Sequence, residues 1–277
     1  MKAAWVLLTV LAFGIATGCS SGPPPIKPGS PAFFWAVAKE SYRTGDLLKT
    51  DATLLDLSQT DTAFAAPARL WQLVVSAGLT QGYTELANAY EAGGVADPAR
   101  ALAFRRQATN LRSMAATTAL EFAQAVHNMA ETDQNAKVLL SFGFPPGSAT
   151  PPEALSKLSG GAWLPDSERD SLLTAMLQRG VLLAASVAVG SPDDPGKAEA
   201  VFQAAEVRIP RETFFYGMAK LLYQEADLFG PMGMDRQDRF ILMCRAAAET
   251  LQTIPQSQAA EALSAEIRST LKQFGGV

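Results

Sequence analysis

Residues 101–131 read ALAFRRQATNLRSMAATTALEFAQAVHNMAE and predict a long helix with one apolar face. Apolar side chains recur there at intervals of three and four residues, which places them on one side of a helix. The positions in this series are Leu102, Ala108, Leu111, Ala115, Ala119 and Phe122, interrupted only by Arg105. No stretch of the chain shows the alternation of apolar and polar residues between turn dipeptides that indicates a β-hairpin. We therefore expect an all-α fold.

The composition excludes some classes of protein. The chain has 277 residues and a formal net charge of −4, and this length allows one large domain or two modest ones. Because nucleic-acid binding requires a basic surface, the acidic balance predicts no nucleic-acid partner.

An internal repeat is indicated by YTELANAY at residues 83–90, which sets Tyr83, Leu86, Ala87 and Tyr90 at offsets of 0, 3, 4 and 7. A turn is predicted at Gly93-Gly94, after which Ala101 and Ala108 follow with a spacing of seven. This arrangement resembles the tetratricopeptide repeat. In that repeat, small residues let two antiparallel helices approach closely, and aromatic residues fill the gap between successive hairpins. The departures are a longer turn and Arg105 at a position that is usually aromatic.

Three further segments share this spacing. They are Phe34, Val37 and Ala38 before a turn at Gly45-Asp46; Leu183, Ala184 and Val187, followed by Ala198, Phe202, Ala205 and Pro210; and Phe215, Met218, Ala219 and Leu222. We therefore predict that residues 32–277 form antiparallel helical hairpins stacked as a TPR-like solenoid, in which Tyr83, Tyr90, Phe202 and Phe215 are core or inter-hairpin residues. An irregular helical bundle is the alternative.

A second resemblance covers most of the chain after its amino terminus, although the middle aligns poorly. RRQATNLRSMAATTALEFA and the later MAKLLYQEADLFGPMGMDRQDRFILMCRAAAETL look like the T-component lipoproteins associated with tripartite (TRAP) transporters. The residues that carry the likeness are Arg105, Arg106, Arg112, Asp238, Arg239 and Phe240. The resemblance implies a lipid-anchored periplasmic helical-repeat protein that helps to transfer small, hydrophobic ligands.

The amino terminus has the pattern of an export signal. Met1-Lys2 precedes the apolar run AAWVLLTVLAFGIATG, which is too short for a comfortable membrane span and is typical of a signal peptide over residues 1–18. Ala16-Thr17-Gly18-Cys19 resembles a bacterial lipobox, with Ala16 where leucine is usual. That resemblance implies cleavage between Gly18 and Cys19 and a diacylglycerol on the Cys19 thiol. The alternative is an ordinary signal peptide with an incidental cysteine.

Residues 19–31 follow the cleavage position as a proline-rich tether. Pro23, Pro24, Pro25, Pro28 and Pro31 lie within it, and proline fixes φ and removes a backbone donor, which favours an extended spacer. The lipid would attach the protein to a membrane. Ser20 stands where an aspartate would signal inner-membrane retention, so the expected address is the outer membrane of a Gram-negative-type envelope, facing the periplasm.

The helical pattern is interrupted at residues 142–167, FGFPPGSATPPEALSKLSGGAWLPDS, which we expect to be a Pro/Gly-rich loop. Loops of this length are uncommon in compact domains and are often lids or binding loops. Phe142, Phe144 and Trp163 are its large apolar side chains. They either pin the loop to the helical surface or close over a groove between the two halves of the chain, and we favour the first.

Catalytic and metal-binding patterns are absent from the sequence. His127 is the only histidine, and we expect it to be a surface or inter-helix hydrogen-bonding residue. Cys244 lies in the apolar pattern FILMCRAAAETL and is expected to be buried and unreactive. With so few soft ligands no His/Cys metal cluster can form, and no nucleophile elbow surrounds a serine. We expect no enzyme, no metal and no cofactor. An enzyme that works through a pair of carboxylates, as glycosidases do, is the alternative that the sequence leaves open.

Together these patterns predict a lipid-anchored periplasmic scaffold or adaptor that binds an unidentified envelope protein through a concave helical surface. The alternative is a carrier of a small apolar ligand associated with a TRAP-type transport system. The sequence assigns no ligand-binding residues.

Overall fold

The computed structural model describes residues 26–132, 137–140, 147–194, 196 and 207–275. This part of the chain is mostly helical, which confirms the all-α prediction at the level of fold class. The helices are α1 (Pro31–Thr44), α2 (Leu47–Ser58), α3 (Ala65–Ala96), α4 (Ala101–Thr132), α5 (Glu153–Ser159), α6 (Asp166–Ala188), α7 (Arg211–Ala226), α8 (Gln237–Gln252) and α9 (Gln258–Gln273). The strands are β1 (Lys137–Leu140) and β2 (Val207–Pro210).

The helix α3 lies at the centre of the molecule, in contact with α2, α4, α5, α6 and α7. It forms an antiparallel hairpin with α4, and the hydroxyl groups of Thr80 and Thr118 are hydrogen-bonded across the pair at 2.8 Å. The predicted core residues Tyr83, Tyr90 and Phe215 are buried. In α4 the buried series begins at Phe104, whereas Leu102 is 62% exposed, so the predicted apolar face is correct only from Ala108 onward.

Glycine sets the contact between α3 and α6. A side-chain carbon at Gly180 would fall far inside van der Waals distance of the Gly78 carbonyl oxygen, and one at Gly82 would lie 2.7 Å from the Met176 carbonyl oxygen. The two backbones therefore touch directly, which only residues without a side chain permit. These glycines are not among the small residues of the predicted repeat.

The predicted turn at Gly93-Gly94 is wrong. The helix α3 continues to Ala96, and the chain turns at Asp97, whose side chain accepts a hydrogen bond from the Ala99 backbone amide before a short 3₁₀ turn, Pro98–Arg100. Gly93 lies inside the helix. Glycine is needed at this position because a side chain there would collide with the Phe104 ring and the Leu158 backbone. In contrast, the predicted turn between α1 and α2 is confirmed, with Gly45 at φ 79°.

A two-stranded sheet corrects the expectation of helices alone. The strands β1 and β2 pair antiparallel, with Lys137 opposite Pro210 and Leu140 opposite Val207. Val138, Leu140, Val207 and Ile209 alternate inward and are buried, but four residues are too few for the alternation to be recognised in a sequence scan. Pro210, predicted to end a helix, is instead the last residue of β2 and directly precedes α7.

Helices occupy part of the predicted proline-rich tether and part of the predicted Pro/Gly-rich loop. Pro31 is the first residue of α1 after the capping residue Ser30, a helix position that tolerates proline because its amide would be unpaired. The expected loop at 142–167 contains α5, and its last two residues begin α6. Gly18, Cys19, Phe142, Phe144, Ala198, Phe202 and Ala205 lie outside the described residues.

The helix α6 is long and apolar enough to cross a membrane by length and composition. Over half of its apolar window is buried inside the protein, and its contacts with α3 and α7 are those of a core helix.

Candidate functional site

A cleft of about 560 Å³ opens where α3, α4, α6 and α7 converge. Its wall is completed by the 3₁₀ turn Asp227–Phe229, which follows α7 directly, and by the loop after it. The lining residues are Gln81, Thr84, Glu85, Asn88, Arg112, Arg179, Leu183, Gln224, Glu225, Asp227, Leu228, Met232 and Gly233.

Small residues on three helices determine where this cleft lies. Gly78, Gly82 and Gly180 bring α3 and α6 together, and Gly217 does the same between α7 and α6. A side-chain carbon at Gly217 would lie 2.7 Å from the Val187 carbonyl oxygen.

Arg112 forms one side of the cleft from α4. Its Nη2 donates to Glu91 Oε2 at 2.6 Å and to Asn88 Oδ1 at 3.4 Å, both on α3. Its Nη1 donates to the Gly233 carbonyl oxygen at 3.5 Å. The guanidinium group therefore connects the α3–α4 hairpin to the loop that follows α7, and its charge is already balanced by Glu91.

Arg179 forms the opposite side from α6. Its Nη1 donates to Glu85 Oε2 on α3, and its Nε donates to the Ala149 carbonyl oxygen at 2.8 Å. The second bond holds part of the Pro/Gly-rich segment against α6. As with Arg112, the positive charge has a carboxylate partner.

Glu225 is the chemically unusual residue of the cleft. The residue is only 6% exposed, and among the described residues neither of its carboxyl oxygens, which are both buried, has a hydrogen-bond partner. Burial raises the pKa of Glu225 well above its ordinary value. Buried polar groups in native proteins are nearly always paired, so an unpaired carboxyl group on a residue of the cleft wall makes Glu225 the candidate binding residue.

The position of Glu225 follows from the apolar face of α7. Phe215, Met218, Ala219 and Leu222 are all buried, and the next position at the same spacing is 225. A charged residue that continues an apolar stripe is a signal that the sequence contains, and our sequence analysis missed it. Asp227 lies just beyond, and burial raises its pKa also.

The loop after α7 folds back tightly over the cleft. The Met234 amide donates to the Leu228 carbonyl oxygen at 2.8 Å, and the Arg236 amide donates to that of Phe229 at 2.8 Å. Asp235 has φ 50° within this turn, a value that Asp and Asn tolerate better than most residues. Met232 stands at the rim and is 96% exposed.

Of the six residues that carry the TRAP-associated resemblance, Arg112 is the one that reaches the cleft. Arg105 and Arg106 are exposed on α4. Phe240 is buried near the start of α8 against Phe274, with ring centroids 4.7 Å apart, and Asp238 pairs with Arg236 at 3.4 Å. The Arg239 guanidinium lies 5.9 Å from the Phe229 ring.

The remaining predicted residues have structural positions. His127 Nδ1 lies 3.3 Å from Glu249 Oε2 on α8, which confirms an inter-helix role. Cys244 is buried, and burial raises its pKa to about 12, as expected of an unreactive thiol.

Trp163 packs edge-on against Phe104, with centroids 5.1 Å apart, and against Tyr90. This contact holds its segment on the α3–α4 hairpin, the placement that we favoured.

A second, more polar cleft of about 390 Å³ lies among α2, α3 and α4. Near it, Asp51 accepts a hydrogen bond of 3.0 Å from the Ser76 hydroxyl. Burial raises the pKa of Asp51 to about 6; the Ser76 hydrogen bond opposes the rise and the charge of Glu121 adds to it.

We expect Asp51→Asn to remove a pH dependence of stability. The folded protein binds the Asp51 proton more tightly than the unfolded chain, so wild-type stability falls as pH rises from about 4 to about 6. Between these two pH values, the free energy of unfolding of Asp51→Asn should rise relative to that of the wild type by on the order of 2 kcal/mol. Urea unfolding at a series of pH values measures the difference, with the exposed Asp56→Asn on the same helix as control. A difference between Asp51→Asn and wild type that does not change with pH would contradict this prediction.

Within the residues that the structure describes, no three His, Cys, Asp or Glu side chains come together as metal ligands. Comparison with known proteins finds no matching family model, no matching curated protein and no matching solved structure.

Proposed function

We propose that the protein binds a small molecule in the cleft between α3, α4, α6 and α7. The observation that supports this proposal is the buried, unpaired carboxyl group of Glu225 at the cleft wall. The volume of about 560 Å³ is within the range of ordinary ligand pockets. Leu183, Leu228 and Met232 add apolar surface to the lining, so the occupant would have both a polar and an apolar part.

Native mass spectrometry of the protein isolated gently from its own membranes tests this function. We expect a retained small molecule, which Thr84→Trp should eliminate because Thr84 lines the cleft and an indole would fill it. Thr109→Trp on the exposed face of α4 is the matched control. A wild-type protein that retains nothing, or a molecule that Thr84→Trp leaves bound, would contradict the proposal.

We propose further that the protein is anchored in the envelope by a lipid on Cys19 and works as the carrier component of a TRAP-type transport system. The lipobox-like Ala16-Thr17-Gly18-Cys19 and the partial likeness to T-component lipoproteins support this assignment.

The anchor predicts the number of reactive thiols. The chain has two cysteines, and a lipidated Cys19 would be a thioether while Cys244 is buried. Protein from membranes should therefore show no reactive thiol when folded and one after denaturation. Two thiols in denaturant would rule out the lipid on Cys19.

A scaffold or adaptor is the second candidate function, and an exposed apolar tip favours it. Val95 at the end of α3 is 82% exposed, and Leu102 at the start of α4 is 62% exposed. In this proposal the hairpins stack as a TPR-like solenoid, in keeping with the contacts of α3 with α6 and of α6 with α7. The tip would contact an envelope protein.

A photo-reactive residue placed at position 95 in living cells tests the adaptor. We expect it to cross-link to one defined envelope protein, whereas the same residue at the exposed position Ala52 on α2 should not. Equal cross-linking from both positions, or none from position 95, would contradict an adaptor that works through this tip.

A further inference from the structure

We infer that the cleft recognises a cationic, ammonium-type group on its ligand, with the Glu225 carboxyl group as the direct partner of that group. This inference rests on the proposed binding function and specifies the chemistry of the ligand. It follows from the balance of charge in the cleft and from the hydrogen bonds that its arginines already make.

The charges around the cleft are unequal. Arg112 is paired with Glu91, and Arg179 with Glu85. Within the part of the chain that the structure describes, Glu225 and Asp227 have no ion pair. The pKa of each is raised by burial alone, and no neighbouring cation lowers it. The cleft therefore has two carboxyl groups beyond those that its arginines balance.

The two carboxyl groups that no arginine balances favour a cationic ligand over an anionic or a neutral one. An anion would meet guanidinium groups that are already occupied, and it would lie near two further acidic groups. A neutral hydroxyl group would satisfy one oxygen of Glu225 without balancing its charge. An ammonium group does both, because it donates up to three hydrogen bonds and pairs with a carboxylate in a site removed from water.

Binding of the cation would favour the ionised form of Glu225. Burial raises the pKa of Glu225, and a bound ammonium group would oppose that rise because an opposite charge stabilises the carboxylate. The groups that line the cleft around Glu225 are Asp227, Glu85, Arg112 and Arg179. Glu85 is paired with Arg179. The apolar side chains Leu183, Leu228 and Met232 would contact the hydrocarbon part of the ligand.

The experiment is a calorimetric titration of the full lipidated chain in detergent with three probes of the same size: butylammonium, butanol and butyrate. We expect saturable binding of butylammonium, at least tenfold tighter than that of the other two. Equal affinity for butyrate, or no saturable binding of butylammonium, would overturn the inference.

The variants assign the effect to the carboxyl group. Glu225→Gln keeps the side-chain size and should weaken butylammonium binding at least tenfold. Glu212→Gln, at an exposed position of the same helix, should leave the affinity unchanged. Asp227→Asn, a second variant should Glu225→Gln fail to fold, is expected to weaken binding several-fold. Unchanged binding in a folded Glu225→Gln variant, or in Asp227→Asn where Glu225→Gln does not fold, would overturn the inference.

The calorimetric titration and the mass-spectrometric test can fail separately. A retained molecule that Thr84→Trp eliminates but that carries no cationic group would disprove this inference and leave the binding function standing. A protein that retains no molecule would contradict the proposed function, whereas saturable binding of butylammonium through Glu225 would still support the charge preference inferred here.

Discussion

Replacing Gly180 by leucine is expected to lower the free energy of unfolding by about 3 kcal/mol or more, the upper end of the cost of overpacking. A side chain at this position collides with the Gly78 carbonyl oxygen, a backbone atom that cannot rotate away. The helices α3 and α6 would have to separate, and the contacts along both would be lost together. Leucine has a higher helix propensity than glycine, so a loss of stability cannot come from a weaker helix.

Urea unfolding measures this effect, and Ser171→Leu is the matched control. Ser171 is exposed on the same helix, and a surface substitution there should change stability by less than about 0.5 kcal/mol. Similar stabilities for the two leucine variants would mean that the α3–α6 contact is not as close as described. The cleft depends on this contact, so Gly180→Leu should also lose any ligand retained by the wild type.

Replacing Phe215 by alanine is expected to cost about 3–5 kcal/mol of stability. The ring is fully buried in α7, its centroid lies 5.4 Å from that of Phe214 in an edge-on contact, and the Arg211 guanidinium lies 4.8 Å from it. Its removal would leave a cavity in the core, and a site that collapses only partly carries this cost.

Denaturant unfolding provides the measurement for Phe215 as well. Phe34→Ala is the control, because Phe34 in α1 is 42% exposed and its truncation should cost only about 1–2 kcal/mol. If Phe215→Ala were as stable as Phe34→Ala, the aromatic spacing of α7 would not report a core position, and the repeat interpretation of that helix would be wrong.

The sequence predicted helices and the aromatic core positions of α3 and α7, because each depends on local spacing. Tyr83, Leu86, Ala87 and Tyr90 occupy one face of α3 and are all buried. The Gly93-Gly94 turn was wrong because glycine is used there for close packing against Phe104, and spacing alone does not distinguish the two uses. The sheet was missed because its two strands are four residues each and distant in the chain.

Less of the candidate site than of the fold could be predicted from the sequence. Arg112 was identified by a family resemblance, but its partners Glu91 and Gly233 come from two different parts of the chain. Glu225 could have been found as the acidic residue that continues the apolar face of Phe215, Met218 and Leu222. That it faces a cleft, however, depends on the positions of α3, α4 and α6, which are set by glycine contacts between segments distant in sequence.

An experimental structure of the protein isolated with its native ligand tests the central claim most directly. We predict density for a small molecule between α3, α4, α6 and α7, with a donor group within hydrogen-bonding distance of the Glu225 carboxyl oxygens. A structure in which the ligand lies elsewhere, while Glu225 is paired with another protein side chain, would contradict the account.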